Sequence, residues 1–295
     1  MTDSGFALRD QITFDGAQGI RIAADRWQPD DPRGTVLLLH GGGQTRHSWA
    51  RTARRLATRG WRAITLDARG HGDSAWSPTG EYTLDHMVGD LLRVMEALDG
   101  EPPVVIGASM GGRTALVAEG ERPGTVLGLV LVDIAPRLDP AGQARVRAFM
   151  RGAPSGFSSL EEAAAAVGAY NPRRRTASGL EGLKKNVRLR EDGRWYWHWD
   201  PAFLRFTADP ANTSAERMIS AARHVTAPTL LVRGRHSDMV TAEAAAELLT
   251  LIPTARLTEV PAGHMIAGDD NDVFTREVHS FLTAEVDRRS DRFPR

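Results

Sequence analysis

The 295-residue chain contains no cysteine, which excludes disulfide bonds, thiolate metal sites and a cysteine nucleophile. It carries no net charge, because 37 basic residues balance 37 acidic ones. Bulk charge therefore gives no indication of a nucleic-acid partner. No apolar run is long enough to span a membrane, and the first ten residues lack the basic patch and apolar run of a signal peptide. These absences predict a cytoplasmic protein that binds neither membranes nor nucleic acid, with the oligomeric state left open, a homo-oligomer included.

Short apolar segments alternate with amphipathic ones along most of the chain. Alternation of this kind predicts an α/β fold, with a mostly parallel, doubly wound sheet of about eight strands. The predicted strands are 6–14, 20–27, 35–39, 61–66, 104–106, 127–132, 229–232 and 255–260. The predicted helices include 49–59, 84–98, 214–223, 242–251 and 273–286.

The alternation stops between about Pro136 and Asn212, where no buried strand is predicted. The segment is rich in alanine and arginine and has helical patches at 143–150, 160–167 and 180–189. We therefore predict two parts: a core formed by 1–135 and 213–295, and a helical cap or lid formed by 136–212. The run 173–175, three arginines, is interpreted as a solvated turn, with recognition of an acidic substrate as a weaker alternative.

The sequence Gly107-Ala108-Ser109-Met110-Gly111 fits the pattern G-x-S-x-G. It follows an apolar, β-branched strand and precedes an apolar helix, which is the context that this motif requires. The serine of such a motif lies at a strained strand-to-helix turn, and the positive end of the helix dipole lies beneath it. Ser109 is therefore predicted to be a nucleophile.

The same stretch allows a second interpretation. From Gly107 to Thr114 the sequence is G-x-x-x-x-G-R-T, one residue away from a phosphate-binding P-loop. That loop needs a lysine to reach the phosphates, and Arg113 stands in its place. Nucleotide binding is kept as a minor alternative.

A serine nucleophile needs a base, and the base needs an acid that orients it. His264 follows the strand 255–260 and is predicted to be the base. Asp238 follows the strand 229–232 and is preferred as the acid, because acid and base lie on loops after late strands in this order. Asp133, after the strand 127–132, is the rival acid.

The backbone N–H groups of Met110 and Gly42 are predicted to bind an oxyanion, with Gly43 as an alternative to Gly42. A glycine run such as Gly41-Gly42-Gly43 lets a backbone donor point inward without a side chain in the way. Arg69, His71 and Asp73 are interpreted as residues that tie loops together beside the site. No metal site and no cofactor are predicted.

Five features together resemble the α/β-hydrolase superfamily, in particular members that have a serine nucleophile and a cap. They are His40-Gly41-Gly42, the block from Asp67 to Ser74, the Ser109 motif, Asp238 and Gly263-His264. The resemblance implies acyl transfer through an acyl-enzyme, most simply by a carboxylic ester hydrolase without a cofactor. Ser109 argues against the dehalogenase and epoxide hydrolase relatives, whose nucleophile is an aspartate.

The expected substrate is a small to medium hydrophobic ester or lactone. Six apolar residues near the predicted site are assigned to its pocket: Trp49, Trp195, Trp197, Trp199, Met239 and Met265. A carbon–carbon bond hydrolase of the meta-cleavage type or a cofactor-free perhydrolase would use the same three residues and is the first alternative. A non-catalytic, hydrolase-like receptor is a more distant one.

Overall fold

The computed structural model of the protein describes residues 8–100, 102–170, 179–206, 214–266 and 272–286. The side chains of Glu181, Phe206 and Asp272 are not described. The arginine run 173–175 and the chain after 286 also lie outside the described residues.

An eight-stranded sheet forms the centre of the fold. The strands of the chain are β1 (Leu8–Asp15), β2 (Arg21–Gln28), β3 (Thr35–Leu39), β4 (Arg62–Leu66), β5 (Val104–Ala108), β6 (Gly128–Val132), β7 (Val187–Leu189), β8 (Trp195–Trp197), β9 (Thr229–Gly234) and β10 (Ala255–Val260). The order in the sheet is β1-β2-β4-β3-β5-β6-β9-β10. Strand β2 is antiparallel to both of its neighbours, and the other pairs are parallel. The predicted fold class is confirmed.

Helices cover both faces of this sheet. They are α1 (Ala50–Ala57), α2 (Leu84–Glu96), α3 (Met110–Glu121), α4 (Pro140–Arg151), α5 (Leu160–Tyr170), α6 (Gly179–Leu183), α7 (Phe203–Phe206), α8 (Ala215–His224), α9 (Ala242–Leu251) and α10 (Asp272–Phe281), and a short π-helical turn (Leu282–Val286) follows α10. Successive residues of β3 point to opposite faces. Leu37 packs in the core shared with α2, α3, α8 and α9, whereas Val36 packs in the core shared with α1 and α10.

Three central strands, β3, β5 and β6, are buried along their whole length. Burial on both faces explains why their sequences are continuously apolar rather than alternating. Because these strands are parallel, their carboxyl ends meet at one edge of the sheet. His40, Ser109 and Asp133 each directly follow one of the three strands at this edge.

In the described part of the segment between β6 and α8, no strand joins the central sheet. One expectation for it was wrong in part: a single helical patch was predicted at 180–189, but α6 ends at Leu183 and is followed by β7. Strand β7 pairs antiparallel with β8. The turn between them is closed by the Gly193 N–H, which donates to the Arg190 carbonyl. Gly193 has a positive φ of 74°, which suits glycine.

Among the described residues, no helix has the length and apolar character needed to cross a membrane. The cytoplasmic location and the oligomeric state remain predictions of the sequence.

Candidate active site

Ser109 lies in the single-residue turn between β5 and α3. Its backbone angles are φ 45° and ψ −107°, a sparsely populated conformation that persists only where the surroundings enforce it. The Ser109 N–H donates to the Val132 carbonyl at 3.1 Å, and the Arg113 N–H donates to the Ser109 carbonyl at 2.9 Å. The turn predicted from the G-x-S-x-G pattern is therefore present.

The two motif glycines allow this turn to pack. A Cβ on Gly107 would lie 2.5 Å from backbone atoms of Gly111, and a Cβ on Gly111 would lie 2.5 Å from the Leu39 Cβ. No side chain fits at either position, so the spacing of the motif reflects close approach between backbone segments. The turn also leaves no extended loop between strand and helix in which a phosphate could be cradled, contrary to the P-loop alternative.

His264 pairs with Asp133. Its Nδ1 lies 2.7 Å from Asp133 Oδ2. Asp133 is fully buried, and its carboxylate also accepts hydrogen bonds from the Gly234 N–H at 2.9 Å and from Ser237 Oγ at 2.5 Å. An Nδ1–H donated to a carboxylate leaves Nε2 of the neutral ring without a proton, which is the form that a general base needs.

The prediction of Asp238 as the orienting acid is corrected by this contact. Asp238 forms an ion pair with Arg145 of α4, whereas Asp133, the rival acid, meets His264. The loop after β9 does approach His264, since the His236 N–H donates to the Ala262 carbonyl. The end of β9 and the loop after it therefore supply two hydrogen-bond donors to Asp133, from Gly234 and Ser237. They do not supply the carboxylate that contacts His264.

One sequence signal was compatible with Asp133, although it did not separate this residue from Asp238. Helix α4 is capped by Asp139, whose side chain accepts from the Ala141 and Gly142 N–H groups. Asp133 therefore follows a buried strand without being needed as a helix cap, and this position was open to a role at the sheet edge.

The glycine loop, residues Gly41 to Gly43, lies beside the Ser109 turn. The Gly41 N–H donates to Gln44 Oε1 at 3.0 Å, and the Gly43 N–H donates to His71 Nε2 at 3.2 Å. Within the described part of the chain, the Gly42 N–H donates to no partner. Met110 begins α3, so its N–H has no acceptor within the helix. The geometry thus favours the Gly42 N–H over the Gly43 N–H as the backbone donor that would bind an oxyanion together with the Met110 N–H.

A histidine trio, His40, His71 and His198, holds the glycine loop and the loop after β4 together. His71 and His198 lie on either side of Gly43: His71 Nε2 accepts from its N–H, and His198 Nε2 lies 3.3 Å from its carbonyl oxygen. His40 Nε2 accepts from the Ala68 N–H at 3.0 Å. His198, which the sequence did not single out, comes from the segment between β6 and α8.

Each member of the trio is fully or almost fully buried. Burial disfavours the charged imidazolium, and it lowers the pKa of His40 and His198 and lowers the pKa of His71 to about 3. The three rings are therefore neutral at neutral pH, and each accepts a hydrogen bond from a backbone N–H. The interpretation of His71 as a residue that ties loops together agrees with its contacts.

A cavity of about 120 Å³ opens at Ser109 and His264. Helix α4 forms one wall with Gln143, Val146, Arg147 and Met150, which share one face of the helix because they are three or four residues apart. The remaining described lining comprises Gly41, Gly42, Gly43, Gln44, Ala108, Met110, Arg113, Leu138, Phe149, Tyr170, Phe203, Met239 and Met265.

The predicted pocket is right for the two methionines, Met239 and Met265, and wrong for the four tryptophans, which do not line this cavity. Trp49 is fully buried and packs against Phe274, with ring centroids 5.8 Å apart. Trp197 and Trp199 stack on each other at 5.0 Å, and Trp195 pairs through its backbone with Phe157. The tryptophans at 195, 197 and 199 therefore pack within the segment between β6 and α8 and do not form the cavity wall.

No cluster of three or more His, Cys, Asp or Glu side chains that could hold a metal ion occurs among the residues that the structure describes.

Comparison with known proteins identifies the family of the chain. The family model for the alpha/beta hydrolase fold matches residues 34–270. The chain is 34% identical over 233 residues to the esterase Rv0045c of Mycobacterium tuberculosis, covering 77% of this chain and 74% of that protein. It is 30% identical over 258 residues to the sn-1-specific diacylglycerol lipase ABHD11 of Mus musculus, covering 84% and 80% of the two chains.

A solved structure of the Mycobacterium tuberculosis esterase superimposes with a TM-score of 0.74 at 28% identity, over 95% of this chain and 93% of that one. The chain therefore belongs to the α/β-hydrolase family and is an enzyme like the carboxylic ester hydrolases.

Proposed function

We propose that the protein hydrolyses a carboxylic ester through an acyl-enzyme on Ser109, with His264 as general base and Asp133 as the acid that orients it. The observation that carries the proposal is the 2.7 Å contact between His264 Nδ1 and the buried Asp133 carboxylate. It lies at the edge of the cavity that Ser109 also lines. Relatives named as an esterase and a lipase support the same chemistry.

In the first half-reaction, His264 Nε2 takes the proton of the Ser109 hydroxyl while Oγ attacks the ester carbonyl carbon. The imidazolium that forms is stabilised by the Asp133 carboxylate. Collapse of the tetrahedral intermediate breaks the bond to the alcohol oxygen, and His264 returns its proton to that oxygen. The products are the free alcohol and an acyl group bonded to Ser109.

In the second half-reaction, His264 takes a proton from water, and the resulting hydroxide attacks the acyl carbon. The intermediate collapses, Ser109 Oγ leaves and recovers its proton from His264, and the carboxylic acid is released. Both intermediates carry a negative oxygen, for which the Met110 and Gly42 N–H groups are the proposed donors. Such preorganised donors are worth roughly 10²–10³-fold in kcat each.

The proposed substrate is a small to medium ester or lactone with an apolar portion. The cavity is of modest size, and most of its described wall is apolar, with Val146, Phe149, Met239 and Met265 among the contributors. The segment 136–212 would act as the cap, because α4 supplies one wall of the cavity from outside the central sheet.

The proposal is tested with a panel of phenyl esters and lactones of increasing acyl length, comparing the wild type with Ser109→Ala. Phenyl esters of short to medium chains should be hydrolysed by the wild type. The variant should lose most of the rate. Its remaining rate should be on the order of 10³-fold above that of the uncatalysed reaction in water, because the oxyanion donors are still present. Undiminished turnover by Ser109→Ala would overturn the proposal.

A further inference from the structure

Two arginines line the cavity that contains Ser109 and His264. Arg113 comes from α3, four residues after Ser109, and Arg147 comes from α4. The described lining includes neither aspartate nor glutamate. Two arginine residues therefore stand in an otherwise largely apolar lining, in a protein whose overall charge is balanced.

Helix α4 separates its arginine charges by position. Arg145 and Arg147 are two residues apart and so project about 200° from each other around the helix axis. Arg145 pairs with Asp238. Arg147 forms no ion pair with any carboxylate in the described part of the chain, and it lines the cavity. Arg145, on the other side of the helix, is thus neutralised by Asp238. Arg147, which lines the cavity, is available to bind an anionic ligand.

Arg113 retains its charge despite its burial. Removal from water lowers the pKa of Arg113 to about 10, which still leaves the guanidinium protonated at neutral pH. A charge held where water is scarce attracts an opposite charge more strongly than one at the surface. A guanidinium also presents parallel N–H donors that match the two oxygens of a carboxylate.

We infer that the ester substrate carries a free carboxylate that Arg113 and Arg147 bind while its ester carbonyl lies at Ser109. This inference rests on the proposed ester hydrolase function and narrows its substrate class. The hydrocarbon between the two groups would lie against the apolar wall, and the charged end would be held by the two arginines. A fully neutral ester would offer the two arginines no group of opposite charge.

The first measurement compares two esters that differ in charge. Monophenyl adipate has a carboxylate at the end of its acyl chain, and its methyl ester is the neutral counterpart. A second pair places the charge on the alcohol side: 4-(hexanoyloxy)benzoate and its methyl ester. Each kcat/KM is divided by the hydroxide-catalysed rate of the same ester. The wild type should prefer the anion by about tenfold or more in at least one pair, as expected for hydrogen bonds to a charged group.

Variants assign that preference to the two arginines. Arg147→Gln and Arg113→Gln should each lower the ratio of anionic to neutral turnover, mainly through a higher KM for the anion, and Arg147→Lys should restore part of it. Arg145→Gln is the matched control on the same helix and should keep the wild-type ratio. Since Arg113 is partly buried, Arg147→Gln keeps the inference testable if Arg113→Gln does not fold.

The outcomes separate this inference from the proposed function. Labelling of Ser109 by a fluorophosphonate together with equal turnover of charged and neutral esters would overturn the inference alone. Failure of Ser109 to be labelled would overturn the proposed function and this inference with it. If Ser109 is labelled but none of the four esters is hydrolysed, hexanoate should slow labelling more than hexan-1-ol does. Equal protection by the two would overturn the inference.

Discussion

Asp133 is tightly constrained by its surroundings. It is fully buried, has a positive φ of 49°, and receives hydrogen bonds from Gly234, Ser237 and His264. The three donors hold the buried carboxylate in place, and its contact with Nδ1 fixes the tautomer of the histidine ring. At the scale of single residues, the site depends on this contact.

The first prediction separates Asp133 from Asp238. Asp133→Asn should lower kcat on a phenyl ester by on the order of 10⁴-fold, because an amide neither holds the required tautomer nor stabilises the imidazolium. Asp238→Asn should change kcat by less than about threefold, because its removal costs one partly exposed ion pair with Arg145. Steady-state kinetics on purified, folded variants measure both, and the opposite ranking would contradict the assignment of the acid.

The sequence analysis assigned Ser109 and His264 to one site, and both line the same cavity in the structure. Ser109 follows from a local motif, and His264 follows from its position after the last strand. The acid was misassigned because two aspartates follow strands at the same edge, and the choice depends on contacts between loops that are distant in the chain. The Ser237 hydroxyl and the Gly234 N–H donate to Asp133 in the structure. No pattern in the sequence around these two residues indicates that contact.

At the scale of elements, the site depends on the junction between β5 and α3 and on its approach to β3. Backbone segments meet here without intervening side chains, as the contacts of Gly111 with Leu39 illustrate. The turn places Ser109 at the carboxyl end of β5. The junction therefore connects packing within the core directly to the position of the serine hydroxyl.

The second prediction concerns Gly111. A Cβ on this residue would lie 2.5 Å from the Leu39 Cβ and 2.6 Å from the Leu39 carbonyl oxygen. Gly111→Ala should lower the free energy of unfolding by about 1–3 kcal/mol, the usual cost of overpacking, and should lower activity by displacing Ser109. Urea unfolding and ester kinetics measure the two effects.

Gly168 provides the matched control. It lies inside α5, and a Cβ there would meet no atom within 4 Å. Gly168→Ala should raise the free energy of unfolding by about 0.5–1 kcal/mol, because alanine favours the helix, and should leave activity unchanged. Equal destabilisation by both substitutions would argue against close packing at Gly111.

Elements with a strong apolar signal were predicted well, as the continuously apolar strands of the sheet show. The β7–β8 hairpin was missed because its strands have only three residues each, too few for a period of two to be recognised. The cavity face of α4 has helical spacing in Val146 and Met150. Only the three-dimensional structure shows that this face covers the serine.

At the scale of the whole molecule, the histidine trio links the glycine loop, the loop after β4 and the segment between β6 and α8. Each ring accepts a backbone N–H. Protonation would replace each acceptor with a donor and break these bonds. We therefore expect both the stability of the fold and the shape of the glycine loop to depend on pH.

The third prediction gives the sign of this coupling. An unfolded histidine has a pKa near 6.5, whereas the pKa of His71 in the fold is about 3, and burial lowers the pKa of His40 and His198 as well. Below about pH 6.5 the unfolded state binds more protons than the folded state. The stabilisation is therefore complete above pH 6.5 and is lost progressively as the pH falls, by up to about 1.4 kcal/mol per pH unit for each histidine.

Urea unfolding at pH 7.5, 6.5 and 5.5 measures this dependence in a range where most carboxylates stay ionised. His71→Gln, whose amide oxygen can accept the Gly43 N–H, should show a shallower dependence than the wild type. His224→Gln, at an exposed position on α8, is the control and should match the wild type. A free energy of unfolding that is constant from pH 7.5 to 5.5 would contradict the buried neutral trio.

The most direct test of the central claim is the pre-steady-state release of 4-nitrophenol from 4-nitrophenyl butyrate, followed by peptide mass analysis of the quenched enzyme. Covalent catalysis predicts rapid formation of a butyryl group on the peptide that contains Ser109, with phenol released at the same rate, and a burst of up to one equivalent wherever deacylation is slower than acylation. Asp133→Asn should slow this acylation, and Ser109→Ala should abolish it. Turnover by the wild type without an acyl group on Ser109, or acylation that persists in Ser109→Ala, would contradict the account.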